Sequence, residues 1–176
     1  DTKGPELDYL AQRIVSAGCR ALLMDVGAAA ESDTEADITD EQVAAFSGED
    51  INAVRVLPRG EAVEKMVSAT AAYLLHMVQS GEAHGVIGVG GSGGTTICAA
   101  AMRALPYGVP KFMVSTLASG NTRWHVDIAD IVMIPSLLDI GGLNPMLEMV
   151  LNNAAQGIDV MVNGHQAYKP YCKKFI

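Results

Sequence analysis

The sequence predicts an α/β protein with a Rossmann-like, doubly wound and mostly parallel sheet that carries helices on both faces. Short apolar runs of strand length alternate with longer segments whose apolar residues recur at helical spacing, which is the order that successive strand–helix–strand units produce. Apart from Lys111, the short runs are apolar, without alternating polar residues, and this indicates strands that helices cover on both sides.

Each predicted element has a local reason. Apolar residues at helical spacing after Pro5 indicate a first helix over residues 4–17. A short apolar run indicates a strand at residues 21–24. Thr39 followed three residues later by Gln42 is the pattern of a capping box. The other predictions are helices at residues 39–46, 60–79, 95–104 and 143–161, and strands at residues 85–89, 110–114 and 131–134.

Composition and charge limit the classes of protein. The chain has 176 residues, of which 49% are hydrophobic, so a single domain over residues 1–176 can fill one core. The formal net charge of −8, with 12 Lys and Arg, argues against binding to nucleic acid or to anionic membranes, which need clustered positive charge. The three cysteines are widely spaced, and no secretory signal is recognisable. We therefore predict a cytoplasmic protein with reduced thiols.

The strongest local feature is the stretch from Gly88 to Thr96, where an apolar run enters five glycines in seven residues before an alanine-rich segment. Glycines let backbone N–H groups approach an oxyanion closely, and the N-terminus of a following helix adds partial positive charge. A tight strand-to-helix turn is the simpler alternative. The pattern favours a site for the phosphates of a nucleotide.

The type of nucleotide is less constrained. Gly88, Gly90 and Gly93 match the spacing G-x-G-x-x-G, but the acidic residue expected about 20 residues further on is missing. A Walker A loop needs a lysine, which this loop lacks. An NAD-dependent oxidoreductase is therefore a weaker alternative to ATP binding, and any phosphate-binding cation has to come from elsewhere in the chain.

Other polar residues are candidates for the same site. A second stretch rich in hydroxyl and amide groups, residues 115–122, follows the next predicted strand, and such loops meet at one edge of a doubly wound sheet. Asp25 can bind a ribose hydroxyl or Mg²⁺, or it can cap its own loop. No nucleophile with an adjacent base is recognisable, so catalytic residues are not assigned. The candidate phosphate cations, each of which also suits a surface role, are Lys3, Arg59, Lys111 and Arg123.

Several runs together resemble one family. They are Asp-Thr-Lys-Gly at residues 1–4, Asp-Val-Gly at 25–27, Arg-Gly-Glu-Ala at 59–62, the glycine stretch at 88–95, Met-Val-Ser-Thr-Leu-Ala-Ser-Gly at 113–120 and Gly-Leu-Asn at 142–144. In this order they are similar to the ATP-binding amino-terminal domain of the tomato mosaic virus resistance protein and its bacterial and fungal relatives. The likeness extends over nearly the whole chain.

The resemblance implies a Rossmann-like domain that forms the amino-terminal half of a two-domain protein. It also implies that ATP, with Mg²⁺ as a candidate companion ion, binds between loops at the strand ends. Combined with the glycine stretch, it gives the predicted binding residues Lys3, Asp25, Gly90, Gly91, Ser92, Gly93, Gly94, Thr95, Ser115, Thr116, Ser119 and Gly120.

The resemblance leaves the activity open. It implies that the plant member binds a viral replication protein, and only this analogy suggests such a partner here. A non-enzymatic interaction module that nucleotide stabilises is an alternative to an enzyme. A homo-oligomer is a further expectation, because the face that meets a second domain would be exposed.

Overall fold

The fold is a parallel three-stranded sheet surrounded by helices. The structure, a computed structural model, describes residues 3–28 and 35–172, with side chains through residue 166. The elements in chain order are α1 (Gly4–Ala17), α2 (Asp40–Phe46), α3 (Ile51–Arg55), α4 (Arg59–Ser80), β1 (Val86–Gly90), α5 (Ser92–Arg103), β2 (Lys111–Ser115), α6 (Arg123–Val126), β3 (Val132–Pro135) and α7 (Pro145–Cys172).

The sheet has the strand order β1-β2-β3, and both neighbouring pairs are parallel. Val86 lies opposite Lys111 in the first pair, and Phe112 lies opposite Val132 in the second. Helix α5 connects β1 to β2, as the long crossover between parallel strands requires. The three strands therefore end at the same edge of the sheet.

Strand β2 is buried on both faces, and this explains its apolar run from Phe112 to Val114. Phe112 and Val114 belong to the same core cluster as Leu147 and Leu151 of α7. Met113, which points to the opposite face, packs with Met102 of α5. Helices thus cover both faces of the sheet, and the prediction of an α/β, Rossmann-like fold is confirmed.

The local signals for helix ends are also confirmed. Helix α1 has the predicted bounds, and Gly18 ends it with a φ of 115°. Gly81 ends α4 in the same left-handed region, with a φ of 82°. Thr39 Oγ1 accepts a hydrogen bond from the Gln42 N–H at 3.3 Å, and Gln42 Oε1 accepts one from the Thr39 N–H at 2.9 Å. These contacts complete the capping box.

The predicted strand at residues 21–24 is wrong. This segment forms only an isolated parallel bridge between Met24 and Ile38, with Ile38 donating to the Leu23 carbonyl at 3.0 Å. A cavity of about 510 Å³ lies between the segment and β1, so the segment does not pair with the sheet. Helices α3 and α6, of five and four residues, are too short to produce a periodic signal and were not predicted.

The long helices begin at the edge where the strands end. Near the start of α1, Glu6 accepts a hydrogen bond from the Gly142 N–H at 2.7 Å, just ahead of α7. Beyond its end, Cys19 donates to Asp159 of α7 at 3.0 Å, so α1 and α7 run in the same direction. The positive ends of their helix dipoles lie at the same edge of the protein.

In the part of the chain that the structure describes, no helix is both long and apolar enough to cross a membrane.

A buried lysine anchors the opposite end of β2. The side chain of Lys111 is fully buried, and its ammonium lies 2.6 Å from Asp130 Oδ1 and 2.8 Å from the Pro106 carbonyl oxygen. Burial acts to raise the pKa of Asp130, but hydrogen bonds from Lys111 and Gly108, together with the charge of Lys111, leave that pKa below its ordinary value. The Asp130 carboxylate is therefore charged over most of the pH range.

We expect Asp130→Asn to lower the free energy of unfolding by ~2 kcal/mol at pH 7, because the buried Lys111 ammonium loses its charged partner. Asp130 is partly exposed to water, which makes the loss smaller than for a fully buried ion pair. The depressed pKa stabilises the fold above the unfolded value near 3.8, and this contribution is lost as the pH falls further. Urea unfolding from pH 7 to pH 3 should show the two proteins converging in acid. The exposed Asp127→Asn variant is the control, and an equal loss there would contradict the assignment.

Candidate functional site

The glycine stretch is a direct junction between β1 and α5. Strand β1 ends at Gly90, Gly91 is the N-cap residue, and α5 begins at Ser92. The sequence indicated a longer loop with the helix starting at Thr95, but Gly93 and Gly94 lie in the first helical turn. The five glycines therefore belong to a strand end and a helix start, and only one residue separates the two elements.

Close packing between Gly90 and Gly94 makes this junction possible. A Cβ atom on Gly90 would lie 3.0 Å from the Gly94 Cα atom and 3.2 Å from the Thr95 nitrogen. Backbone atoms cannot move aside as a flexible side chain can. The helix can therefore start directly over the end of the strand because Gly90 lacks a side chain.

Two buried hydroxyl groups join this junction to the end of β2. Thr95 Oγ1 lies 2.6 Å from Ser115 Oγ, and neither residue is exposed to solvent. Thr95 also donates to the Gly90 carbonyl at 3.3 Å, and Ser115 Oγ accepts from the Leu117 N–H at 3.0 Å. The structure thus brings together Thr95 and Ser115, two of the predicted site residues. Their hydroxyl groups bond to each other and to the backbone between the strand ends.

Other residues of the junction are less crowded than Gly90. A Cβ atom on Gly91 would have Thr116 Oγ1 as its nearest neighbour, at 3.9 Å, and one on Gly93 would have Arg59 Nη2, at 3.8 Å. Ser92 is exposed. Space therefore remains beside the backbone at the start of α5, and a guanidinium group lies next to it.

The second predicted loop adjoins the first. The Thr116 N–H donates to the Gly90 carbonyl at 3.3 Å, and a turn follows in which the Gly120 N–H donates to the Leu117 carbonyl at 3.0 Å. Ser119 and Gly120 are exposed at the tip of this turn. The contact of Thr116 with the glycine junction confirms the expectation that the two loops meet at one edge of the sheet.

A third loop, residues 136–144, follows β3 and received little weight in the sequence analysis. Ser136 is buried, its N–H donates to the Ser115 carbonyl at 3.1 Å, and its hydroxyl donates to the Leu138 carbonyl at 2.5 Å. Leu137 has a φ of 66°, which is rare for a residue with a side chain. No local sequence pattern signals this strained connection, because the bond to β2 imposes it.

Lys3 and Asp25 are used within the fold. The Lys3 ammonium donates to the Ile140 carbonyl, which places Lys3 on the third loop. Asp25 Oδ1 accepts from the Gly27 N–H at 2.8 Å, and its own N–H donates to the Ile38 carbonyl at 2.9 Å. These contacts match the capping role that the sequence analysis gave as the alternative for Asp25.

In the structure, the predicted site residues therefore fall into two groups. Residues 90–95 and 115–116 form one continuous junction at the ends of β1 and β2. Lys3 is attached beside the end of β3, and Asp25 lies in the segment that leaves the sheet. Among the residues that the structure describes, no group of three or more His, Cys, Asp or Glu side chains is arranged to hold a metal ion.

Residues 1–167 match the family model described as the N-terminal domain of an uncharacterised protein family, UPF0261. The chain belongs to the UPF0261 family. The resemblance that the sequence motifs indicated is thereby confirmed, because the plant resistance protein is among the relatives of this chain.

Bacterial UPF0261 proteins are similar over most of the chain. A UPF0261 protein of Clostridium tetani is 41% identical over 165 residues, covering 93% of this chain and 41% of that protein. A second, from Rhizobium meliloti, is 45% identical over 172 residues, covering 93% of the chain and 40% of the relative. The chain thus spans about two fifths of the length of these relatives.

The ToMV resistance protein Tm-1 of Solanum lycopersicum is 42% identical over 106 residues. This match covers 60% of the chain and 14% of the plant protein. The similarity to the plant protein is therefore confined to one part of a much longer sequence.

We expect Gly90→Ala to lower the free energy of unfolding by about 1–3 kcal/mol, because its new methyl group would press on the backbone of α5. Gly91→Ala is the matched control and should stay within ~0.5 kcal/mol of the parent, since the nearest atom to its Cβ position, Thr116 Oγ1, lies at an ordinary contact distance of 3.9 Å. Urea unfolding of both variants measures the difference. Equal losses would show that the close approach at Gly90 is not the limiting contact.

Proposed function

We propose that this UPF0261 domain binds ATP and that the start of α5 holds its phosphates. The observation that carries the proposal is the open backbone at Gly91 and Gly93, next to the Arg59 guanidinium and at the N-terminus of a 12-residue helix. Exposed N–H groups and the helix dipole favour an anion at this position. The exposed Ser92 hydroxyl is a further donor.

Arg59 replaces the lysine that the loop lacks. It is the first residue of α4, and its Nη2 atom lies 3.8 Å from the Cβ position of Gly93. A guanidinium group binds phosphate through two parallel hydrogen bonds. A domain with a net charge of −8 needs such a locally placed cation to hold a polyphosphate.

The second loop contributes hydroxyl donors on the other side of the opening. Thr116 Oγ1 is the nearest atom to the Cβ position of Gly91, at 3.9 Å, and Ser119 is exposed one turn further on. In the proposed complex, these two residues face the phosphates or the ribose. Thr95 and Ser115 hold the two loops at a fixed separation, so their contribution to binding is indirect.

Two other functions remain as alternatives. An NAD-dependent oxidoreductase is less favoured because β2 ends at Ser115 and Thr116, where an acidic residue would bind the ribose. A non-enzymatic module, in which ATP stabilises an interaction surface, is favoured by the exposed Trp124, Leu137 and Leu138. The name of the plant relative, a ToMV resistance protein, is compatible with such a module. We further propose that the protein lies in the cytoplasm and forms a homo-oligomer.

Calorimetric titration with Mg-ATP, with ATP alone and with NADH tests the proposed ligand. We expect saturable ATP binding that Gly91→Val weakens at least tenfold, because its branched side chain would occupy the space beside the backbone. The control Gly164→Val adds the same side chain in α7, where a Cβ atom meets nothing within 4 Å. Saturable NADH binding without ATP binding would favour the oxidoreductase, and no binding of either nucleotide would refute a nucleotide site in this domain.

Arg59→Gln tests how the phosphates are held. We expect the affinity for ATP to fall about tenfold or more, while the affinity for adenosine changes little, because the guanidinium group acts on the phosphate charge. The exposed Arg103→Gln variant makes the same change of charge at the C-terminal end of α5, away from the glycine junction, and should bind ATP like the parent. Equal affinities of the Arg59 and Arg103 variants for ATP would exclude Arg59 from the site.

A further inference from the structure

The solvent-facing side of α7 differs from that of α4, the other long helix. Between residues 145 and 166, where the side chains of α7 are described, none of its exposed residues is charged. Helix α4, by contrast, exposes Glu61, Glu64 and Lys65 near its start. Charged residues are depleted, and methionines are enriched, where proteins contact other proteins. The exposed side of α7 therefore has the composition of an interface.

The exposed residues of α7 form a stripe at heptad spacing. Most of them recur at alternating intervals of three and four residues, and we call this set the α7 stripe: Met146, Met149, Asn153, Gln156, Val160 and Asn163. Its apolar members are 44%, 54% and 70% exposed. This alternation is the spacing by which two helices pack along their length. Because the buried side of α7 already packs on β2 and α1, the stripe is a second packing face of the helix.

The α7 stripe is symmetric about its centre. Its spacing is the same when read from either end, so an antiparallel copy of the helix brings Met149 opposite Val160 and Asn153 opposite Gln156. Apolar side chains then face apolar side chains, and each central amide faces an amide. Because Asn and Gln carry both donors and acceptors, these exposed amides can bond across the symmetry axis and fix the register.

Charge favours a second copy of this chain as the partner. A protein with a net charge of −8 repels its own copies over most of its surface. The α7 stripe carries no charge, and the acids of α7, Glu148 and Asp159, lie half-buried at its border. In the antiparallel register, neither acid lies opposite an acid of the other copy. Two copies can therefore meet along this face without repulsion between like charges.

We propose that two copies of the chain associate through antiparallel packing of their α7 stripes. Such a dimer is one form of the homo-oligomer proposed above, and the interface rests on that proposal. From Met146 to Asn163 the stripe is about 25 Å long, from the rise of an α-helix, and helices with this spacing cross at about 20°. Because the interface is small, we expect a dissociation constant on the order of 10 µM.

Sedimentation velocity of the intact chain, from about 1 to about 200 µM, measures the association. We expect a dimer that Met149→Glu or Val160→Lys weakens about tenfold or more, because each variant buries an unpaired charge at the interface. Both positions are exposed, so the fold itself should be retained. The control Val15→Glu places a charge at an exposed apolar position of α1 and should dimerise like the parent.

Mixing the variants tests the register. In the antiparallel dimer, the carboxylate introduced by Met149→Glu in one chain faces the ammonium introduced by Val160→Lys in the other, so an equimolar mixture should regain the dimer. In a parallel dimer, only a mixture of Met149→Glu with Met149→Lys would regain it, and that result would overturn the proposed pairing.

The interface is also overturned if the mixture of Met149→Glu with Val160→Lys stays monomeric, or if Val15→Glu weakens the dimer equally. A parent that stays monomeric at about 200 µM would contradict the homo-oligomer as well. Dimerisation that neither Met149→Glu nor Val160→Lys weakens would contradict the α7 interface alone and leave the homo-oligomer standing.

Discussion

The close approach of α5 to the end of β1 is the constraint on which the rest of the structure depends. Gly90 and Gly94 bring the backbone of the helix against the backbone of the strand, so that a single residue, Gly91, connects them. The buried pair of Thr95 and Ser115 then fixes this junction to β2, and the Ser115 carbonyl in turn holds Ser136 after β3. The three strand ends are thereby joined through one chain of hydrogen bonds, and any ligand at this edge meets a preformed surface.

The same constraint concentrates positive potential in an acidic protein. Helices α5 and α7 follow β1 and β3 and run back across the sheet, so they start at the edge where the strands end. Helix α1 runs parallel to α7 and starts at the same edge. Arg59, at the start of α4, adds a full charge beside Gly93. A net charge of −8 repels polyanions at long range, whereas these local groups place positive charge at one position. The fold therefore separates the overall charge of the surface from the charge of the candidate site.

The two edges of the sheet differ in how far their apolar side chains are exposed to solvent. Beside β3, Leu137, Leu138 and the outer side of α7 expose apolar side chains to solvent, a surface suited to contact with another folded unit. Beside β1, apolar side chains line a cavity that α1, α4 and residues 19–26 enclose. The first edge therefore exposes apolar surface to solvent, whereas the second encloses a cavity.

The sequence by itself determined those features whose causes are local. Apolar runs marked the three parallel strands, Gly18 and Gly81 ended helices at left-handed positions, and Thr39 with Gln42 formed the expected cap. The motif order also led to the correct family, and the glycine pattern led to the junction between β1 and α5. Each of these depends on a residue and its near neighbours in the chain.

Only the tertiary structure decided which groups those elements bring together. Residues 21–24 have the composition of a strand, but a strand needs a partner distant in sequence, and local composition carries no information about that partner. The lengths of the glycine connection, the burial of Thr95 and Ser115, and the position of Arg59 beside Gly93 likewise depend on contacts between distant segments. The sequence thus determined the elements and the chemistry they carry, and packing between distant segments decided which of those groups lie side by side.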